Sequence, residues 1–156
     1  MSDIEPIRRS VTVRTSVERA FGLFTQDIGT WWPLETHSRA ADLDVQGVKV
    51  ERVEFQTRTG GQVLEHMSDG DVLPWGEILA WEPPSRFVMA WKPNSTPKPP
   101  TELEVRFTAV DGGTLVEVEH RGWERLGEIA TEARQGYASG WPGVLARFER
   151  AANEAA

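Results

Sequence analysis

Residues 140–152, GWPGVLARFERAA, place Trp141, Val144, Leu145 and Phe148 at i, i+3, i+4 and i+7. That spacing lays a single apolar stripe along a helix. It follows a long stretch, Gly47 to His120, in which apolar and polar residues alternate as in strands. A helix with one stripe to bury, placed after a run of antiparallel strands, is packed most economically by curling the sheet around it. Upstream, Glu124 to Ala138 is helix-compatible, weakened by Gly127 and Gly136. Pro142 has no N–H and its ring meets the Ala138 carbonyl in a continuous helix. The sequence therefore predicts either a kink near Ser139-Gly140 or two helices, with Pro142 in the first turn of the second. The last helix is expected to end near Ala152.

Working back through the strands, Val116 and Val118 alternate toward His120, and Asp111-Gly112-Gly113 is a turn. Leu103, Val105 and Phe107 share one face of a strand, as do Phe87, Met89 and Trp91. Between them, Lys92 to Pro100 is proline-rich and reads as an exposed loop. Trp75 to Glu82 is a strand stopped by Pro83-Pro84; Gln62 to His66 is another, bounded by turns at Gly60-Gly61 and Ser68-Asp69-Gly70. Val48 and Val50 alternate in one phase, Val53 and Phe55 in the other, so a bulge is expected at Glu51-Arg52. Pro6 to Val13 forms a first strand. Thr15 and Glu18 then have the spacing of a capping box for a short helix over Ser16 to Thr25, with Gly29 as its breaker. The order is β-α, about six or seven antiparallel strands, then a long helix: an α+β fold in one domain, residues 1–156.

Composition narrows the function. The chain has 156 residues, seven tryptophans, no cysteine and a net charge of −7. Lack of cysteine excludes disulfides, thiolate metal sites and a cysteine nucleophile, and is compatible with a reducing cytoplasm. The net negative charge argues against a nucleic-acid surface. No signal peptide or membrane-spanning run is expected. His37, His66 and His120 lack ligand spacing, so no metal is expected. No Gly-x-Ser-x-Gly elbow is present, the glycine doublets sit in hairpins, and no cofactor is implied.

Taken in order, Trp31-Trp32-Pro33, Gly60-Gly61, the run Trp75 to Pro84, Gly122-Trp123 and Gly140-Trp141 resemble the SRPBCC superfamily. The resemblance is greatest to the branch named for activators of the heat-shock-protein-90 ATPase, and covers roughly Ile7 to Phe148. It implies a helix-grip fold with a hydrophobic cavity between curved sheet and C-terminal helix. In such a fold Trp31 and Trp32 would sit at the cavity mouth; the alternative is that one of the pair packs on the first helix. Glu65 would point inward, because family proteins often carry a carboxylate at this strand position. The alternative for Glu65 is an exposed cross-strand charge; His66, its neighbour, faces the other way in either case.

The remaining candidates come from faces. Phe55 and Trp91 lie on apolar strand faces, Trp141 and Leu145 on the helix stripe. His120 shares its face with Val116 and Val118, either as a functional group or as a hydrogen-bonded core residue. Tyr137, the single tyrosine, offers a polar handle, and Trp123 could close one end. The sequence thus points first to a binding protein for a small apolar or aromatic ligand. An enzyme (cyclase, dehydratase or hydrolase) using Glu65, His120 or Tyr137 is the alternative. A third is a domain whose exposed tryptophans meet a chaperone or client, or pair two copies as a homodimer.

Overall fold

In the computed structural model, which describes residues 5–34, 37, 47–92 and 99–154, the first strand lies beside the last. Strand β1 spans Ile7–Val13, β2 Val50–Phe55, β3 Gln62–Met67, β4 Val72–Glu82, β5 Arg86–Trp91, β6 Thr101–Val110 and β7 Gly113–Arg121. Their order in the sheet is β1-β7-β6-β5-β4-β3-β2, with every pairing antiparallel. Register shifts fall between Val50 and Arg52, Val63 and Leu64, and Ile78 and Ala80. Each adds a local kink and extra twist, which curves the sheet. The first is the bulge that the change of phase predicted. Gly76 permits a further close approach: a Cβ there would lie 1.8 Å from the Ala90 carbonyl oxygen. Residues 93–98 of the expected proline-rich loop lie outside the described residues.

Helix α1 spans Val17–Phe24 and α2 spans Ala130–Glu154, preceded by a 3-10 segment at Trp123–Ile129. The α1 cap differs from the expected box. Ser16 is the N-cap and accepts the Arg19 N–H, whereas Thr15 is buried and its carbonyl accepts the Thr114 hydroxyl at 2.8 Å. Tertiary contact draws Thr15 inward and moves the cap one residue along. The helix also stops before Gly29, which sits within a 3-10 turn, Ile28–Thr30.

Of the two readings offered for the C-terminal segment, two separate helices is the one set aside: α2 is continuous for 25 residues with Pro142 inside it. The Ala138 carbonyl, deprived of its helical donor by the proline, instead accepts from Arg9 Nη2 at 3.3 Å. A side chain from β1 thus supplies what the helix backbone lacks. The stripe works as read: Trp141, Val144, Leu145 and Phe148 are all buried, facing the concave side of the sheet. On the sheet's other face Arg121 pairs with Glu102, Glu104 and Glu119, and Arg86 and Arg106 also reach Glu104.

Candidate functional site

The concave face and α2 meet around His120, which β7 places two residues beyond Val118 with its side chain fully buried. Its Nδ1 accepts the Trp141 indole N–H at 3.1 Å. An indole nitrogen only donates, so the imidazole proton sits on Nε2. That proton goes to Thr101 Oγ1 at 2.7 Å, and the Thr101 hydroxyl donates to the Trp91 carbonyl at 3.2 Å. Burial holds the imidazole pKa down at about 3, so His120 is neutral at pH 7. The backbone carbonyl of His120 accepts the Trp123 N–H at 2.9 Å. One histidine thereby anchors two tryptophans and a threonine from three elements.

Around this relay the aromatic rings touch one another. Trp32 lies within 5.5–6.0 Å, centroid to centroid, of Trp75, Trp91 and Trp141. His120 lies 4.3 Å from Trp123 with the rings tilted and meets Tyr137 edge-on at 4.8 Å. Glu65 is fully buried and accepts the Trp75 N–H at 2.7 Å, so its carboxylate faces the interior and not the solvent. The Trp91 N–H is donated to the Tyr137 hydroxyl at 3.3 Å.

A cleft of about 250 Å³ opens beside this cluster, between the ends of β5 and β6 and the approach to α2. Trp91, Thr101, Trp123 and Tyr137 form its aromatic and polar wall. Leu126, Ile129 and Ala133 supply the apolar one, and Lys92 and Pro99 complete it. The Trp123–Ile129 segment turns through Gly127, whose φ of 63° is a left-handed conformation that glycine adopts without strain. That turn lies between Leu126 and Ile129, which both line the cleft.

Of the residues singled out from sequence, Trp91 and Tyr137 line this cleft, while His120 and Trp141 stand directly behind it. Trp32 is buried in the centre of the cluster, not at a mouth. Trp31 packs against Phe24 and Phe148 and donates its N–H to the Leu23 carbonyl. Phe55 belongs elsewhere, against Trp81 and Phe87. Leu145 is buried on the α2 stripe. His37 is exposed, its carbonyl accepting the Trp32 N–H; His66 faces away from Glu65 and pairs with Glu54 at 2.8 Å. Among the described residues no three His, Cys, Asp or Glu side chains converge as metal ligands. The expected exposed tryptophans are absent: six of the seven are buried and Trp81 is half-buried. Sequence reasoning missed Trp75, Thr101 and Lys92. Thr101 pairs with Trp91 across β5 and β6 and lies diagonal to His120, a relation that only strand register reveals.

The sequence profile of the family described as activator of Hsp90 ATPase homolog 1-like protein matches residues 14–153. No curated protein matches the chain. Among solved structures, an anthrahydroquino-γ-pyrone synthase, Txn09, in complex with SUM, is 32% identical. The match covers 96% of this chain and 99% of that one, with a TM-score of 0.63. The Aha1 dimer from Colwellia psychrerythraea is 14% identical over 96% and 97% of the two chains, with a TM-score of 0.64. Protein BH1534 from Bacillus halodurans is 15% identical over 97% and 99%, with a TM-score of 0.67. These last two share the fold. The profile spans nearly the whole chain, and the chain belongs to the activator of Hsp90 ATPase homolog 1-like family.

Proposed function

We propose that the protein binds a planar aromatic small molecule in the cleft beside His120. The lining carries this reading: Trp91, Trp123 and Tyr137 border one space together with Leu126 and Ile129. Its volume, about 250 Å³, is just below the ~300–1,000 Å³ usual for ligand pockets. It suits a small aromatic compound or one end of a larger polycycle. Apart from Lys92, the wall's polar atoms are already hydrogen-bonded: Thr101 with His120 and the Trp91 carbonyl, Trp91 with Tyr137, and Trp123 with the His120 carbonyl. Binding there strips little water from unsatisfied groups, which favours an apolar ring.

Calorimetric titration with anthraquinone-2-carboxamide tests the reading. Ala133→Phe, which fills the cleft from a half-buried helix position, is expected to weaken binding at least tenfold and leave the unfolding midpoint nearly unchanged. Equal affinity in that variant, or no binding by the natural protein, sinks the proposal.

A second reading, ring-forming catalysis on such a molecule, is favoured by the 32% identity to a synthase across nearly all of both chains. His120 is poorly suited to proton transfer there, since both ring nitrogens are committed. Tyr137 and Glu65 would hold the acid–base roles. Turnover of an anthrahydroquinone probe, followed by mass spectrometry and lost in Tyr137→Phe or Glu65→Gln, distinguishes catalysis from binding alone. Sedimentation of the same samples at two concentrations tests for a homodimer.

A further inference from the structure

Among the described residues that line the cleft, Lys92 alone is charged; the others are aromatic, aliphatic or hydroxyl-bearing. It is half-buried and directly follows Trp91 at the end of β5. Its backbone N–H is donated to the Trp75 carbonyl at 2.7 Å, which holds the root of the side chain in place. Among the described residues no carboxylate lies within ion-pairing distance of its ammonium. By contrast Arg8, Arg52, Arg86, Arg106 and Arg121 each have an acidic partner. In a chain of net charge −7, a lone lysine beside an aromatic wall runs against the average. An ammonium drawn partly out of water without a counter-charge is costly, and a bound anion offsets that cost.

The other polar groups at the wall are occupied. Thr101 receives the His120 proton and gives its own to the Trp91 carbonyl, and the Tyr137 hydroxyl receives the Trp91 N–H. We infer that the cleft selects an anionic aromatic compound, an aryl carboxylate or phenolate, with its ring against Trp91, Trp123 and Tyr137 and its charge met by Lys92. This inference rests on the cleft being the binding site, as proposed above.

The test compares two probes of one shape, anthraquinone-2-carboxylate and anthraquinone-2-carboxamide, titrated calorimetrically into the full chain at pH 7.5 and low salt. The carboxylate is expected to bind about tenfold more tightly, the scale of a charge-assisted hydrogen bond. Lys92→Gln should erase that preference while holding carboxamide affinity within about twofold, and Lys92→Arg should retain most of it. Equal binding of both probes by the natural protein, or a preference surviving in Lys92→Gln, overturns the assignment of Lys92 and leaves the cleft reading standing. Failure of both probes to bind overturns the two together.

Discussion

The interior has two ends of different chemistry. At one, all six phenylalanines gather with Trp81: Phe21 meets Trp81 at 5.0 Å, Phe24 meets Phe148 at 5.0 Å, and Phe87 meets Phe55 and Phe107. At the other, Trp32, Trp75, Trp91, Trp123 and Trp141 surround His120 and Tyr137, and each indole N–H has an acceptor. Trp31 joins the two, 5.2 Å from Phe24 and 5.7 Å from Trp32. Phenylalanine rings bring area and dispersion with no directional demand. Tryptophans bring similar area plus a donor that must be placed. The phenylalanine end can therefore be packed tightly for stability alone. The tryptophan end is held in one arrangement by hydrogen bonds, and the cleft opens there.

The sharpest way to break this division is Phe87→Ala. Its fully buried ring should cost about 3–5 kcal/mol of stability in chemical denaturation. Affinity for the anthraquinone carboxamide should stay within about twofold. If binding falls as far as in Ala133→Phe, the two ends are one unit. Next is pH. His120 stays neutral in the fold down to about pH 3, whereas the unfolded chain takes up that proton near pH 6.5. The unfolded state binds more protons in between, so stability falls as pH drops through this window. The histidine's contribution is roughly 1 kcal/mol per pH unit. His120→Gln should be less stable at pH 7 but lose that share of the slope; parallel curves for the two proteins would remove His120 from the account. The smallest effect is Thr101→Val, which keeps the volume and strands the Nε2 proton of His120. It should cost about 1–3 kcal/mol, against roughly 0.5 or less for Thr108→Val at an exposed site of the same strand. A cost no larger than the control would mean that packing, not the relay, holds this end.

Much of the architecture was legible because period is local. Alternation located the strands, the i, i+3, i+4, i+7 stripe oriented α2, and a slip of phase marked the bulge near Arg52. One misreading and one undecided point share a cause. Thr15 and Ser16 are chemically equivalent caps until Thr114 binds one of them, and Pro142 left one helix or two both open because the group that serves the Ala138 carbonyl, Arg9, is 129 residues away. The candidate site was half legible. Trp91, His120, Tyr137 and Trp141 stood out by type and face, whereas Phe55 packs with Trp81 and Phe87 away from the proposed cleft and Thr101 was passed over.

Residue type and spacing were enough to establish an α+β chain with a curved antiparallel sheet, a gripping helix and an interior rich in aromatic rings. Which rings meet, which nitrogen of His120 carries the proton, and which end stays open depended on strand register and on the seating of α2. Those relations join residues as distant as Trp32, Trp91 and Trp141. No local pattern encodes them, because a hydrogen bond is made by position in space and not by separation along the chain.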